Sequence, residues 1–276
     1  MSPSPVRVLL VSDTHIGHEW PRRPRVDRPR RGPDFLANFE RALAPALRGE
    51  ADLVVHGGDL LFRSKVWPEL VQRAMAPLFR VADAGVPVYL VPGNHERSKI
   101  PFPLLAFHAG VHLFDRPRTH TICVRGTRVA LSGFPYLRRA RDEFGAALAT
   151  TGWQAEDADV RLLCLHQLIE GSRVGVQDFT FTTGPEVIRA RDLPPAFDAV
   201  LSGHVHRAQV LRTDLRGRPL PAPVLYPGSV ERTSADERTE EKGYLQIALA
   251  PGASPGSATL QPHFRRLPTR PWIGLP

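Results

Sequence analysis

Apolar residues come in short blocks along the chain, and the blocks differ between its two halves. Residues 6–11 (VRVLLV) form a near-continuous apolar run, and 51–56 and 86–91 repeat the pattern. Runs of this length, bounded by polar or glycine-rich stretches, predict strands buried on both faces. Two segments between them have a helical period. Across 34–47, Phe35, Phe39, Leu43 and Leu47 recur every four positions, with Asp34 placed to cap the helix. Residues 67–84 predict a second helix, with Pro68 in its first turn and Pro77 breaking or kinking it. A Pro/Arg loop covers 20–33. Strand, helix, strand, helix, strand implies right-handed crossovers and a largely parallel sheet.

The second half is strand-rich. Short strands are predicted at 121–124, 128–132, 161–166, 199–202, 207–212, 224–226, 244–249 and 259–265, and helices at 138–149 and 185–191. A hairpin loop fits 251–255. Two packed sheets flanked by helices accommodate these elements. The 276 residues suffice for one large domain, read as a catalytic domain over 1–250 followed by a C-terminal strand and short tail over 251–276.

Composition narrows the class. Hydrophobic residues make up 42% and charged residues 23%, a balance that folds. The start, MSPSP, runs straight into the first strand without the basic start, long apolar stretch or cleavage site of a secretory signal. No run reaches the roughly 18 apolar residues of a membrane span. The chain therefore reads as cytoplasmic, with no membrane partner. Cys123 and Cys164 lie in apolar strand-like segments and read as reduced core residues. The net charge of +8, nearly all from arginine, favours polyanionic partners.

Chemistry concentrates where predicted strands end. Ser12-Asp13-Thr14-His15 follows the first strand, Gly57-Gly58-Asp59 the second, and Pro92-Gly93-Asn94-His95-Glu96 the third. His166 ends the strand at 161–166, and Gly203-His204-Val205-His206 follows the one at 199–202. Ligands of open α/β sheets bind outside the carboxyl ends of strands, so these five elements can converge. Asp, Asn and neutral His supply oxygen and nitrogen ligands, and the absence of cysteine argues against a closed structural zinc site. A mixed set of this kind suits Mn, Fe, Zn or Mg. Each element alone is weak; the ordered combination is specific.

That combination resembles the calcineurin-like metallophosphoesterase superfamily, whose pattern is Asp-x-His, Gly-Asp, Gly-Asn-His-Asp/Glu, a lone His and Gly-His-x-His. The resemblance spans residues 6–230 and implies a four-layer αββα sandwich, two mixed sheets flanked by helices. It implies two divalent metal ions, with manganese the family expectation. Asp13, His15 and His206 would hold the first, Asn94, His166 and His204 the second, and Asp59 would bridge them. His95 would be the catalytic residue beside the leaving oxygen, and Glu96 would orient a motif group.

Finer features are similar to the SbcD-type family of DNA repair nucleases: Ser12 through Gly17, Gly58-Asp59-Leu60-Leu61-Phe62, His166-Gln167, and Tyr226-Pro227-Gly228-Ser229-Val230-Glu231-Arg232 with Glu241-Lys242-Gly243-Tyr244. Gly228 and Ser229 would lie near a substrate phosphate. The loop bearing Arg22, Arg23, Arg25, Arg28, Arg30 and Arg31 leaves the site just after His15 and suits contacts with a DNA backbone. There are two departures. Phe62 stands where family nucleases often carry a histidine. The segment Leu267-Pro268-Thr269-Arg270-Pro271-Trp272 resembles the start of a DNA-capping domain, and the helical element that docks an SbcC-type ATPase partner lies beyond these residues. The expected function is a metal-dependent DNA nuclease, exonuclease and also endonuclease, in DNA repair, with homodimerisation a family property. The alternatives are a small-molecule phosphodiesterase acting on nucleotides or cyclic nucleotides, and a non-catalytic DNA-end-binding module. The remaining histidines, His18, His56, His108, His112, His120 and His263, read as structural or exposed, with His18 nearest the site.

Overall fold

The computed structural model describes residues 4–19 and 30–272. Strand β1 (Val6–Val11) leads through helix α1 (Gly32–Leu47) to β2 (Leu53–His56), and helix α2 (Pro68–Asp83) leads to β3 (Val88–Leu90). Strands β4 (Val111–Leu113), β5 (Arg118–Val124) and β6 (Thr127–Gly133) follow, then helix α3 (Ala140–Thr150) and β7 (Val160–His166). Four two-residue strands come next: β8 (Leu168–Ile169), β9 (Arg173–Val174), β10 (Phe179–Thr180) and β11 (Val187–Ile188). The chain closes with β12 (Ala199–Gly203), β13 (Gln209–Thr213), β14 (Pro219–Tyr226), β15 (Gly243–Ala250) and β16 (Thr259–Arg266).

Two six-stranded sheets result. The first has the order β16-β15-β1-β2-β3-β4, the second β13-β14-β12-β7-β6-β5. The central strands are parallel: β1 with β2, β2 with β3, β6 with β7, and β7 with β12. The outer pairs β15–β16, β13–β14 and β5–β6 are antiparallel, so both sheets are mixed. Side-chain alternation explains the layering. Val8 and Leu10 of β1 point between the sheets, where they join Leu162 and Cys164 of β7. Their neighbours Leu9 and Val11 point outward onto Phe35, Phe39 and Leu43 of α1. On the other side Leu163 and Leu165 meet Phe144 and Leu148 of α3. Helix, sheet, sheet and helix make the expected four-layer sandwich. The runs read as doubly buried are so because each central strand faces a helix on one side and the other sheet on the other.

Several local expectations are corrected. Helix α1 begins at Gly32 with Arg31 at the cap position, so Asp34 lies in the first turn, where its charge favours the helix dipole. Pro77 is accommodated within a continuous α2, as Pro45 is in α1. No helix forms over 185–191; Val187 and Ile188 pair in parallel with Leu168 and Ile169, followed by a short 3₁₀ turn at Ala190–Asp192. Cys164 is buried, but Cys123 is exposed because it lies on edge strand β5; both are free thiols. Strand β16, within the C-terminal strand and tail of 251–276, pairs with β15 along its whole length at the edge of the first sheet. Among the described residues no helix is long and apolar enough to cross a membrane.

Candidate metal centre

Both sheets deliver polar residues to the same edge. Val11 lies opposite His56 and His56 opposite Leu90, so the loops after β1, β2 and β3 leave the first sheet side by side. In the second sheet His166 lies opposite Gly203 at the ends of β7 and β12. The loops are tied to one another: the Asp13 N–H donates to Gly58 (2.9 Å) and the His15 N–H to Asp59 (3.0 Å). Gly93 passes so close to Asp59 that a Cβ there would lie 2.2 Å from its Oδ1, and one on Gly58 would lie 2.3 Å from His166 Nδ1. Only glycine admits this approach.

Four candidate ligands adopt left-handed backbone: Asp13 (φ 52°), His15 (φ 44°), Asp59 (φ 51°) and His204 (φ 83°). Each such non-glycine residue costs on the order of 1–3 kcal/mol, and strain of this kind collects at functional sites. Here the loop-to-loop hydrogen bonds hold it.

Ligand atoms fall into three overlapping clusters, each with all atoms within 4.8 Å: Asp13, His15 and His206; His15, Asp59 and His95; Asp59, His166 and His204. His15 and Asp59 each belong to two of them, so the three clusters form one continuous group. Asn94 joins the third side, its Oδ1 lying 2.9 Å from His166 Nε2, which is 3.3 Å from Asp59 Oδ2. His206 Nε2 lies 3.6 Å from Asp13 Oδ1 and 2.9 Å from His15 Nε2. All seven expected ligands therefore meet at one place.

The donor chemistry fits divalent cations. His166 Nδ1 donates to the Gly57 carbonyl (2.7 Å), which turns Nε2 into the site. His206 Nδ1 lies 2.9 Å from Glu237 Oε1; an ionised carboxylate only accepts, so Nδ1 carries the proton and Nε2 faces inward. Imidazoles oriented in this way by a carboxylate or a carbonyl are typical metal ligands. Among the described residues His15 Nδ1 is buried without a hydrogen-bond partner. Burial holds His204 down to about 3, so it is a neutral imidazole. Burial likewise opposes charge on His166, but the Asp59 carboxylate beside it wins and holds it up to about 9, while Asp59 itself stays well below the usual carboxylate range. Burial raises Asp13, whose partners are the Ser12 hydroxyl and the His204 N–H.

His95 stands at the mouth. Its Nδ1 donates to the Phe62 carbonyl (2.5 Å), its Nε2 lies 3.9 Å from Asp59 Oδ2, and its side chain is 35% exposed. Glu96 is buried and accepts from the N–H groups of Leu61 (2.5 Å) and Gly93 (2.8 Å), so it fastens the loops bearing Asp59 and Asn94 together. Burial, with Asp59 nearby, pushes its carboxyl up to about 8. Phe62 forms an apolar wall, 5.8 Å from His95 and packed edge-on against His18 at 4.7 Å.

Other expected substrate contacts lie elsewhere. Ser229 is buried, donating its hydroxyl to the Glu231 carbonyl and its N–H to the His206 carbonyl. Gly228 turns with φ 78° against the backbone of His206 and Ala208. The pair sits behind His206 and props its backbone rather than facing the open site. Arg22, Arg23, Arg25 and Arg28 lie outside the described residues. Arg31 is described: its Nη2 donates to the Pro271 carbonyl (2.9 Å) and its guanidinium stacks over Trp272, fastening the C-terminal segment.

Sequence reasoning missed Glu237 and the role of Lys242. Lys242, fully buried, donates to Glu237 (2.7 Å), Glu240 (2.8 Å) and the His206 carbonyl (2.9 Å). It thus braces His206 directly through the backbone and indirectly through Glu237. Only the spatial return of the 233–242 segment to Gly-His-x-His reveals this.

A model of the calcineurin-like phosphoesterase family matches residues 6–208, and the chain belongs to that family of metal-dependent phosphoester hydrolases. Family membership implies two divalent cations, which the clusters above suit. Among curated proteins the chain is 32% identical over 272 residues to the DNA double-strand break repair protein Mre11 of Haloferax volcanii, covering 96% of this chain and 53% of that protein. It is 25% identical to the Mre11 of Archaeoglobus fulgidus, covering 94% and 59%. The chain thus spans between half and three fifths of the length of these relatives. Among solved structures, TT1561 of Thermus thermophilus matches over 96% of this chain and 99% of that one at 12% identity, with a TM-score of 0.51, a likeness of fold.

Proposed function

We propose that this chain is the catalytic part of a DNA nuclease acting in DNA repair. The supporting observation is the seven-ligand cage with His95 at its open mouth, on a chain whose relatives are DNA double-strand break repair proteins. In this reading Asp13, His15 and His206 would hold one cation, Asn94, His166 and His204 the other, and Asp59 would serve both. When bound, the pair lowers the pKa of a shared water and neutralises the phosphoryl oxygens. The chain's own residues do the rest. Glu237 and the Gly57 carbonyl fix the inward tautomers of His206 and His166. The Phe62 carbonyl keeps the proton on His95 Nδ1, so Nε2 is the nitrogen that meets the leaving oxygen, and the imidazolium form, protonated at both nitrogens, gives that oxygen the Nε2 proton and is left as the neutral Nδ1–H imidazole. The Phe62 ring keeps water off that side. The carboxylate and amide oxygens suit manganese, the cation proposed here, while the imidazoles equally admit iron or zinc. DNA is the proposed partner, alongside a second copy of the chain and an SbcC-type ATPase in the assembled protein.

The test is turnover of a labelled DNA panel with manganese, beside bis-p-nitrophenyl phosphate and cyclic AMP. DNA cleavage well above background is expected. Turnover of the small diesters with none of DNA would transfer the assignment to small-molecule phosphodiesterases. His95→Asn should keep two metals per chain and lose roughly 10²–10⁴-fold in rate, the span of general acid–base catalysis.

A further inference from the structure

A cavity of about 550 Å³ opens beside Asn94, lined by Arg97, Ser98, Tyr136 and Arg138. Its size falls in the roughly 300–1,000 Å³ range of ligand pockets. It begins at a candidate metal ligand, so whatever fills it adjoins the scissile group. Its two walls come from different sheets, and they are bonded together. The Tyr136 N–H donates to the Pro92 carbonyl (3.0 Å), and Ser98 Oγ donates to the Tyr136 carbonyl (2.5 Å). The Tyr136 ring lies 5.6 Å from His204, and its hydroxyl donates to Glu186 (3.3 Å).

The backbone at one wall is strained. Arg97 (φ 55°) and Ser98 (φ 62°) are consecutive non-glycine residues in the left-handed region. The Ser98 N–H holds this shape by donating to the Gly93 carbonyl (2.8 Å). The kink sets Arg97 into the cavity facing Arg138. Both arginines are exposed, and among the described residues neither pairs with a carboxylate. Their neighbour Arg139 does, with Asp142 at 2.7 Å. Two exposed arginines thus line one cavity next to the candidate metal centre, and the carboxylate at its wall, Glu186, is bonded to the Tyr136 hydroxyl.

We propose that Arg97 and Arg138 form a subsite for the phosphodiester flanking the scissile one on the Asn94 side of the centre, with Tyr136 as its wall. This rests on the nuclease reading and sharpens it: the preferred substrate is a strand with successive phosphates, not an isolated diester. Paired arginines suit phosphate through charge-assisted, forked hydrogen bonds.

The variants are Arg97→Asn, which tolerates the left-handed backbone, Arg138→Gln, and the double. Probes are oligothymidylate and bis-p-nitrophenyl phosphate, which has no flanking phosphate. Anisotropy of labelled oligothymidylate with metal-free protein in EDTA gives a reading independent of turnover. In the double variant kcat/KM on the oligonucleotide should fall at least ~10-fold more than on bis-p-nitrophenyl phosphate, with Kd in EDTA weakened similarly. The dependence on log salt should become shallower by about 0.7 for each phosphate of a single strand that is no longer neutralised. Equal losses on both substrates, or an unchanged salt slope and Kd, overturn the subsite while leaving the nuclease reading intact. A wild-type protein that hydrolyses bis-p-nitrophenyl phosphate but no oligonucleotide overturns both.

Discussion

The two ends of the central strands both hold sequestered carboxylates, and they treat them in opposite ways. At the end away from the site, Asp52 precedes β2 and accepts from the Arg7 N–H (2.9 Å), Arg7 Nη2 (2.6 Å) and Arg125 Nε (2.9 Å). Asp198 precedes β12 and accepts from the N–H groups of Arg161 and Ala258, each at 2.8 Å. At the site end, Asp13 and Asp59 are buried, and among the described residues no arginine or lysine pairs with either. Their neighbours are imidazoles and backbone N–H groups. At the far end Asp52 is closed by the protein's own guanidinium groups and Asp198 by backbone N–H groups; at the site end the carboxylates face imidazoles. Buried carboxylates faced by imidazoles rather than by fixed cations suit residues that would share an external cation. Backbone strain differs in degree: four of the candidate ligands have positive φ, whereas among the far-end residues named here Arg125 alone does (φ 51°).

The sharpest way to break this comparison is at the shared carboxylate. Asp59→Asn should reduce bound metal from two per chain to one or fewer by elemental analysis. Phosphodiesterase turnover should fall by at least ~100-fold, the upper bound for losing a mere supporting partner. Adding manganese to stripped wild-type protein should raise Tm, because a ligand that binds only the folded state stabilises it by mass action, and the variant should lose most of that rise. Full metal content in Asp59→Asn would mean that the open end does not exist for cations.

The brace behind His206 ranks next. Glu237→Gln keeps the shape but removes the charge that Lys242 and His206 Nδ1 both contact. Metal affinity should fall by about 10–100-fold, the usual cost of losing a ligand's supporting partner. Competition with a fluorescent chelator measures it, and two metals should still bind at saturation. Affinity equal to wild type would reduce the Glu237–Lys242 pair to a packing feature.

The sequence made the open end of the molecule legible because each part of it is local. Asp13-x-His15, Asp59, Asn94-His95 and His204-x-His206 stand at the ends of strands whose apolar runs are unmistakable, and parallel strands place those ends together. The parts it hid depend on distant returns of the chain. Glu237 and Lys242 reach His206 across more than one strand, and the cavity at Arg97 needs a loop from each sheet. The likeness of the Tyr226–Arg232 segment to the family's places Ser229 beside a substrate phosphate, whereas the turn after β14 puts it behind His206, its N–H on the His206 carbonyl. At 185–191 a helix was expected; the Val187–Ile188 pair instead found Leu168–Ile169, and pairing outside the local sequence outweighed propensity. The continuous α2 shows the reverse, with packing of Val71, Met75 and Leu78 overriding the break expected at Pro77.

The smallest expected effect tests the closed end. Asp52→Ala should leave phosphodiesterase turnover and metal content at wild-type values and lower stability by about 1–3 kcal/mol, since charge-assisted hydrogen bonds are lost from partly exposed partners. At this chain length each kcal/mol corresponds to roughly 2–4 °C in Tm. Burial would raise the Asp52 carboxyl, but the hydrogen bonds from Arg7 and Arg125 outweigh it and hold the group below its ordinary value. A carboxylate depressed in the folded state binds fewer protons there than in the unfolded chain, so its contribution is complete above the ordinary aspartate value near 3.9. It is lost as pH falls below that value through the folded one. The Tm difference between wild type and Asp52→Ala should therefore be constant from about pH 7 to 5 and shrink below about pH 4. A difference that persists undiminished at pH 3 would mean that Asp52 acts through packing, and that the two ends of the strands do not differ in how they settle their charge.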